Sequence, residues 1–268
     1  MRMIFSASQF AIVTMILFFA VGATAETTND LSDAEIQGRN LAQQLLEQTP
    51  AKNFIQNGIL KIRDKAGNTT NFFISFQTQI NTDGWQTAYE ARPTTNGVRT
   101  VSLQIIHKNG QPDRYFFMED EKGLFLDHPL EMKSLNGSET MIPFANSDFW
   151  IGDLGLEFFH WPEQKILKKE NSRGRVCKVL ESTNPDPSTN GYLRVVSWID
   201  EESGGIVHAE AYDAQNKLLK MFDPKSFKKV NGQWQVDYME MENVQTGSRS
   251  WIDFNPAGTP PPKQQGQK

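Results

Sequence analysis

Four histidines, one cysteine and 32 carboxylates lead the side chains of this 268-residue sequence that could move protons, attack carbonyls or hold metals. His107, His128, His160 and His208 are dispersed, with no H-x-x-x-H pair and no neighbouring cysteine and carboxylate at ligand spacing. A zinc site needs three or four convergent ligands, so each histidine reads as an ordinary surface or strand-end residue. Cys177, in "SRGRVCKVL", has no base beside it and sits where an alternating strand would bury it, as a small inert thiol. The nucleophile-elbow, P-loop and dinucleotide fingerprints are absent. "EESGG" and "NPDPSTNG" are acidic but lack oxygen ligands at alternate positions, as a calcium loop requires. The pattern therefore predicts no enzyme, no metal and no cofactor. Carboxylate pairs brought together only by folding stay invisible to spacing, which leaves a glycosidase-type site open. Asn68-Thr69-Thr70 and Asn136-Gly137-Ser138 match the N-glycosylation acceptor.

What the sequence does concentrate is apolar surface. "FANSDFWIGDLGLEFFHWPEQK", residues 144–165, holds six aromatics between Phe144 and Trp161, interrupted by Gly152, Gly155 and Pro162. Ser147 suits an N-cap and Asp148 a first turn, after which Trp150, Ile151, Leu154 and Phe158 share one helical face. Each glycine weakens such a helix by about 0.5–1 kcal/mol relative to alanine, and Trp161-Pro162 ends it. The segment is apolar enough to dock yet weak alone. It fits either the packed core or a mobile cover over an apolar cavity. Directly after it, "KILKKENSRGRVCK" places Lys165, Lys168, Lys169, Arg173, Arg175 and Lys178 against Glu170 alone. Such a run makes either a solvated face or a contact for an acidic partner or lipid headgroups.

The elements that must position these residues begin after an export signal. Arg2 precedes an apolar run over Phe10–Ala23 and a small-residue Ala23-Thr24-Ala25 site, which predicts a signal peptide over 1–25 cut after Ala25. At 14 residues the run is shorter than the roughly 20 needed to span a bilayer as a helix. No later stretch qualifies, so the expected product has no integral span after cleavage. It would carry 26 basic against 32 acidic side chains, a balance with no electrostatic reason to bind nucleic acid. One cysteine excludes an intramolecular disulfide.

"LSDAEIQGRNLAQQLLEQTP" predicts a helix with a Ser32/Glu35 capping box and an apolar face of Ile36, Leu41, Ala42, Leu45 and Leu46. Strand patterns then dominate. In "NFFISFQTQI", Phe72, Ile74, Phe76, Thr78 and Ile80 face one way. Turn signals recur every 10 to 14 residues to Phe254, as an antiparallel meander requires, and no strand–helix alternation supports a parallel sheet. The expectation is a mainly β, α+β domain over 26–254. It would be a strongly curved antiparallel half-open barrel of about eleven strands, covered or plugged by helical segments, with a two-sheet sandwich as competitor. Residues 255–268, "NPAGTPPPKQQGQK", read as a disordered tail.

"SDFWIGDLGLEFFHWPEQKILKKE", then "CKVLES", "YLRVVSWIDEESGGIVHAEAYDAQNKLLKMF" and "VNGQWQVDYMEMENVQTGSRSWIDF", resembles the outer-membrane lipoprotein-sorting proteins, and more narrowly their LolA-like branch of uncharacterised exported proteins. The resemblance is firmest over Ser147–Phe254 and rests on layout alone before Lys133. It implies a half-barrel closed by helices, residence in the periplasm, and a cavity for acyl chains of lipoproteins or for free lipid. The implied lining is Phe72, Ile74 and Phe76 with Phe149, Trp150, Leu154 and Phe158. Lys165, Lys168, Lys169, Arg173 and Arg175 would meet a headgroup or an envelope protein partner. The rival expectation is a non-catalytic envelope interaction module with a fully packed core.

Overall fold

The computed structural model describes residues 31–95, 99–108, 110–120, 132–187, 190–230 and 233–255. The expected signal peptide, the tail from 256 onward and His128 lie outside the described residues. The first element is α1 (Asp33–Leu46), and its capping box forms as the sequence requires. The Ser32 hydroxyl accepts from the Glu35 N–H, and Glu35 Oε2 accepts from the Ser32 N–H at 2.8 Å. Its buried stripe is Gly38, Leu41 and Ala42, while Ile36 is exposed rather than covered. The reason is a close crossing. A Cβ on Gly38 would lie 2.5 Å from the Lys165 nitrogen and 2.6 Å from the Gln164 carbonyl, so the helix rests on a strand backbone at that point.

Thirteen strands follow among the described residues, all antiparallel and all in one sheet. They are β1 (Phe54–Arg63), β2 (Thr69–Asn81), β3 (Gly84–Pro93), β4 (Thr100–Lys108), β5 (Arg114–Asp120), β6 (Lys133–Leu135), β7 (Glu163–Ser172), β8 (Arg175–Thr183), β9 (Tyr192–Asp200), β10 (Ile206–Asp213), β11 (Leu218–Val230), β12 (Gln233–Asn243) and β13 (Ser248–Asp253). The sheet order is β6-β5-β4-β3-β2-β1-β13-β12-β11-β10-β9-β8-β7. Two meanders thus meet where β1 pairs with β13, with Leu60 opposite Ile252. The sheet is open and curled, as so many twisted strands must be. One continuous sheet replaces the sandwich alternative.

The strand count corrects the expected eleven. β6 is only three residues long. β7 carries Lys165, Lys168 and Lys169 and lacks apolar alternation, because it is an edge strand, where charge discourages pairing with a further chain.

Topology also explains the aromatic segment. β6 and β7 are consecutive in sequence yet occupy opposite edges of the sheet. Twelve inter-strand steps of about 4.8 Å separate them by roughly 58 Å along the arc. The connector, residues 136–162, must cross the concave face between them. Only a one-turn α2 (Ile151–Leu154) and 3₁₀ turns at Gly137–Thr140 and Glu157–His160 are helical in it. This corrects the expected helical plug. A continuous helix rises only about 1.5 Å per residue, less than half the reach of extended chain. Over the half of the sheet from β5 to β13, Phe144, Phe149 and Ile151 pack in one cluster with Leu60, Phe72, Ile74, Leu103, Tyr115 and Ile252. Toward the β7 edge, Phe158, Phe159 and Trp161 pack with Leu41, Leu180, Tyr192 and Val195.

Candidate functional site

Within the connector the local chemistry differs from the expected cap. Ser147 is buried, its hydroxyl donating to the Phe144 carbonyl at 2.6 Å and accepting from the Phe149 N–H at 3.2 Å. Asp148 does not start the helix. It is held by the Ser248 and Ser250 hydroxyls at 2.6 and 2.7 Å, which ties the connector to β13. Asp153 caps α2 instead, accepting from the Trp150 N–H at 2.8 Å. Leu156 then takes a left-handed backbone, φ 55°, before the next turn. Gly155 is required by contact. A Cβ there would lie 2.7 Å from Tyr115 Cζ and closer still to its Cε1 and hydroxyl.

Between the connector and the β9–β12 half of the sheet lies a cavity of about 200 Å³. Its walls include Phe149, Leu154 and Phe158 from the connector, Tyr89 from β3, and Phe222, Met239 and Met241 from the far strands. Ala209 and Ala211 pave β10 with side chains too small to fill the space. A wider groove of about 480 Å³ adjoins it, with Tyr89 and Met239 in both walls. Phe54, Phe76, Phe254 and the chain just after α1, Gln48 to Ala51, line that groove.

One wall of the inner cavity is polar. Lys220 is fully buried, its Nζ 3.4 Å from Asp153 Oδ2 and 3.5 Å above the Trp150 ring. That ring stacks on Tyr192 at 4.6 Å, and the Tyr192 hydroxyl donates to Asp153 at 3.0 Å. Burial pulls Lys220 down to about 8 against the opposing pull of Asp153 and Asp148. Burial raises Tyr192 well above its ordinary value, and Asp153 adds to the effect.

The structure therefore brings Phe149, Leu154 and Phe158 to the inner cavity and Phe76 to the groove, and sets Trp150 behind Lys220. Phe72 and Ile74 line neither and pack under Phe144. Sequence reading passed over Lys220, although strand alternation places it on the face of Phe222, two residues away.

The basic run forms the β7–β8 hairpin, where acidic side chains offset it. Lys168 pairs with Glu170 at 2.8 Å, Lys169 with Glu201 at 2.6 Å, Arg173 with Asp223, and Arg175 with Glu202 at 3.0 Å. Lys165 stays exposed on β7. Among the described residues, His107, His160 and His208 are partly buried and each lies beside a carboxylate, His107 at the end of β4 as a strand-end residue. His107 Nδ1 and His160 Nε2 flank buried Asp113 at 2.8 and 3.3 Å, and His208 Nδ1 meets Asp223 at 2.6 Å. The clue lay in the β4–β5 hairpin, which folds His107 back toward Asp113. Among the described residues no group of His, Cys, Asp and Glu is placed to hold a metal ion. Cys177 is buried in β8 as its alternation predicts.

A family model described as an uncharacterized protein matches residues 98–258. No curated protein matches the sequence. Among solved structures, a DUF1329 family protein from Desulfovibrio piger aligns with TM-score 0.65 at 18% identity, covering 85% of this chain and 96% of that one. A putative outer membrane lipoprotein-sorting protein domain from Vibrio parahaemolyticus aligns with TM-score 0.65 at 19% identity, covering 85% and 95%. A LolA superfamily protein from Nitrosomonas europaea gives 0.55 at 16%, covering 84% and 92%. At these identities the likeness shows the fold.

Proposed function

Because this chain belongs to the LolA-like family of uncharacterized proteins, we propose that it is a non-enzymatic periplasmic carrier that shelters an acyl chain of a lipoprotein or free lipid. The observation that carries this reading is the apolar cavity of about 200 Å³ adjoining the groove at the end of α1. At about 30 Å³ per water-sized group, the inner space takes six or seven methylenes, worth roughly 5 kcal/mol of transfer free energy. The adjoining groove extends the path for the rest of a chain. Phe149, Leu154 and Phe158 contact the buried portion, and Phe76 the portion in the groove. The connector walls this space instead of capping it, since most of its aromatics are buried on both flanks. In the paired setting of the β7–β8 hairpin, Lys165 is the basic side chain best placed to meet a headgroup or partner.

Native mass spectrometry of the protein purified from its exported fraction, followed by organic extraction, tests the reading. Co-purifying phospholipid or fatty acid, displaced by a fluorescent acyl probe, is the expected result. A ligand-free protein that also ignores the probe would refute it and favour an interaction module. That alternative calls for a solid interior, to which a void of this size is opposed.

A further inference from the structure

Lys220 is 1% exposed, an ammonium in the wall of a largely apolar cavity. Its place along the cavity follows from the ladder. On β12, Val236 and Met239 line the groove, while Met239 and Met241 line the inner cavity. On β11, Phe222 lies opposite Met241 and Lys220 opposite Asn243, two residues further from the groove. Lys220 thus stands at the end of the cavity remote from the groove, where Ala211 of β10 faces it across the sheet.

An ammonium carries three donors. One reaches Asp153 Oδ2 at 3.4 Å, a long contact, because that carboxylate is already taken by the Trp150 N–H and the Tyr192 hydroxyl. Asp148 is likewise occupied, by Ser248 and Ser250. The Trp150 face supplies a cation–π contact but no acceptor oxygen. Two Nζ–H donors are therefore left without an acceptor among the described residues, in a site where an unmet polar group costs free energy. On the cavity side of Lys220 the β10 neighbours are Ala209 and Ala211, whose small side chains are the part of the wall nearest to it that fills least space.

We propose that Lys220 is the recognition site for the carboxylate of a single-chain fatty acid, bound head inward with its tail running past Phe222 and Met239 toward the groove. The inference rests on the acyl-binding reading and sharpens it. A lipoprotein has its polypeptide at the head of its acyl chains and cannot enter in this orientation, whereas a free fatty acid can.

The test compares palmitate with methyl palmitate as displacers of the neutral probe N-phenyl-1-naphthylamine from the mature protein. The wild type should release the probe at a palmitate concentration at least tenfold below that for the ester. In Lys220→Met this preference should fall to within about twofold, the charged hydrogen bond being the source of the discrimination. If Lys220→Met leaves Asp153 too poorly compensated to fold, Lys220→Met/Asp153→Asn removes both charges together and should show the same loss. Equal displacement by acid and ester in the wild type would overturn the carboxylate site, assign the spare donors to water and leave the acyl reading standing. Failure of both ligands and of the probe to bind would overturn the acyl reading itself, and this inference with it.

Discussion

Gly155→Ala separates two explanations of the glycines in the aromatic segment, because they predict opposite signs. If Gly155 serves to weaken a helix so that a cover can detach, alanine should stabilise the protein by about 0.5–1 kcal/mol. The structure instead places Gly155 against Tyr115, a fully buried ring with core on its other sides. The new methyl would sit 2.7 Å or less from two ring carbons and the hydroxyl oxygen of Tyr115, where carbon contacts prefer roughly 3.5–4.0 Å. Overpacking of this kind costs about 1–3 kcal/mol. Contacts this short put the cost in the upper part of that range, about 2–3 kcal/mol, and subtracting the helix gain leaves about 1–2.5 kcal/mol. With a urea slope near 3 kcal/mol/M for a chain of this size, the midpoint should fall by about 0.3–0.8 M. Equilibrium urea unfolding followed by tryptophan fluorescence measures it. Tyr115→Leu removes the obstructing ring, so the double variant should be less destabilised than the sum of the single ones. A midpoint that rises in Gly155→Ala, or additive single effects, would refute the packing argument.

Stability should also respond to pH through the connector's last turn. Burial alone would depress His160, but contact with Asp113 outweighs it and raises the imidazole above its ordinary 6.5. A raised folded value means stability that is full below the unfolded value and lost as pH climbs through the folded one. Glu157, raised mainly by burial, acts in the same direction as it ionises. Asp113, whose burial is outweighed by His107 and His160, is lowered, and its contribution fades only as pH falls below its ordinary 3.8. Urea midpoints should therefore decline as pH rises from about 6.5 to about 7.5, a window clear of the opposing Lys220 titration near 8, and Asp113→Asn should flatten that slope; a wild-type midpoint rising between about pH 6.5 and 7.5 would contradict the assignment. Cys177 is buried in β8 and its thiol is raised, chiefly by burial. It should resist Ellman's reagent in the native protein and react promptly in denaturant, and prompt native reaction would show that β8 is open to solvent.

Local chemistry determined much of what forms here. The Ser32/Glu35 box starts α1 because both partners lie within one turn, and alternation over Phe72, Ile74 and Thr78 chose the buried face of β2. Hairpins were likewise legible wherever a turn joins two alternating runs. Four features were settled only by tertiary structure. The edge position of β7 hid a strand behind lysines, since an edge needs charge more than an apolar face. Pairing of β1 with β13, distant in sequence, put β6 and β7 at opposite edges and so made the aromatic segment a strap across the concave face. Gly155 then became a contact residue for Tyr115, a relation that no window around Gly155 contains. Finally, Lys220, Asp153 and Tyr192 converge from β11, the connector and β9. An ammonium is stable inside an apolar wall only where such distant partners meet it, so its role had to await the fold.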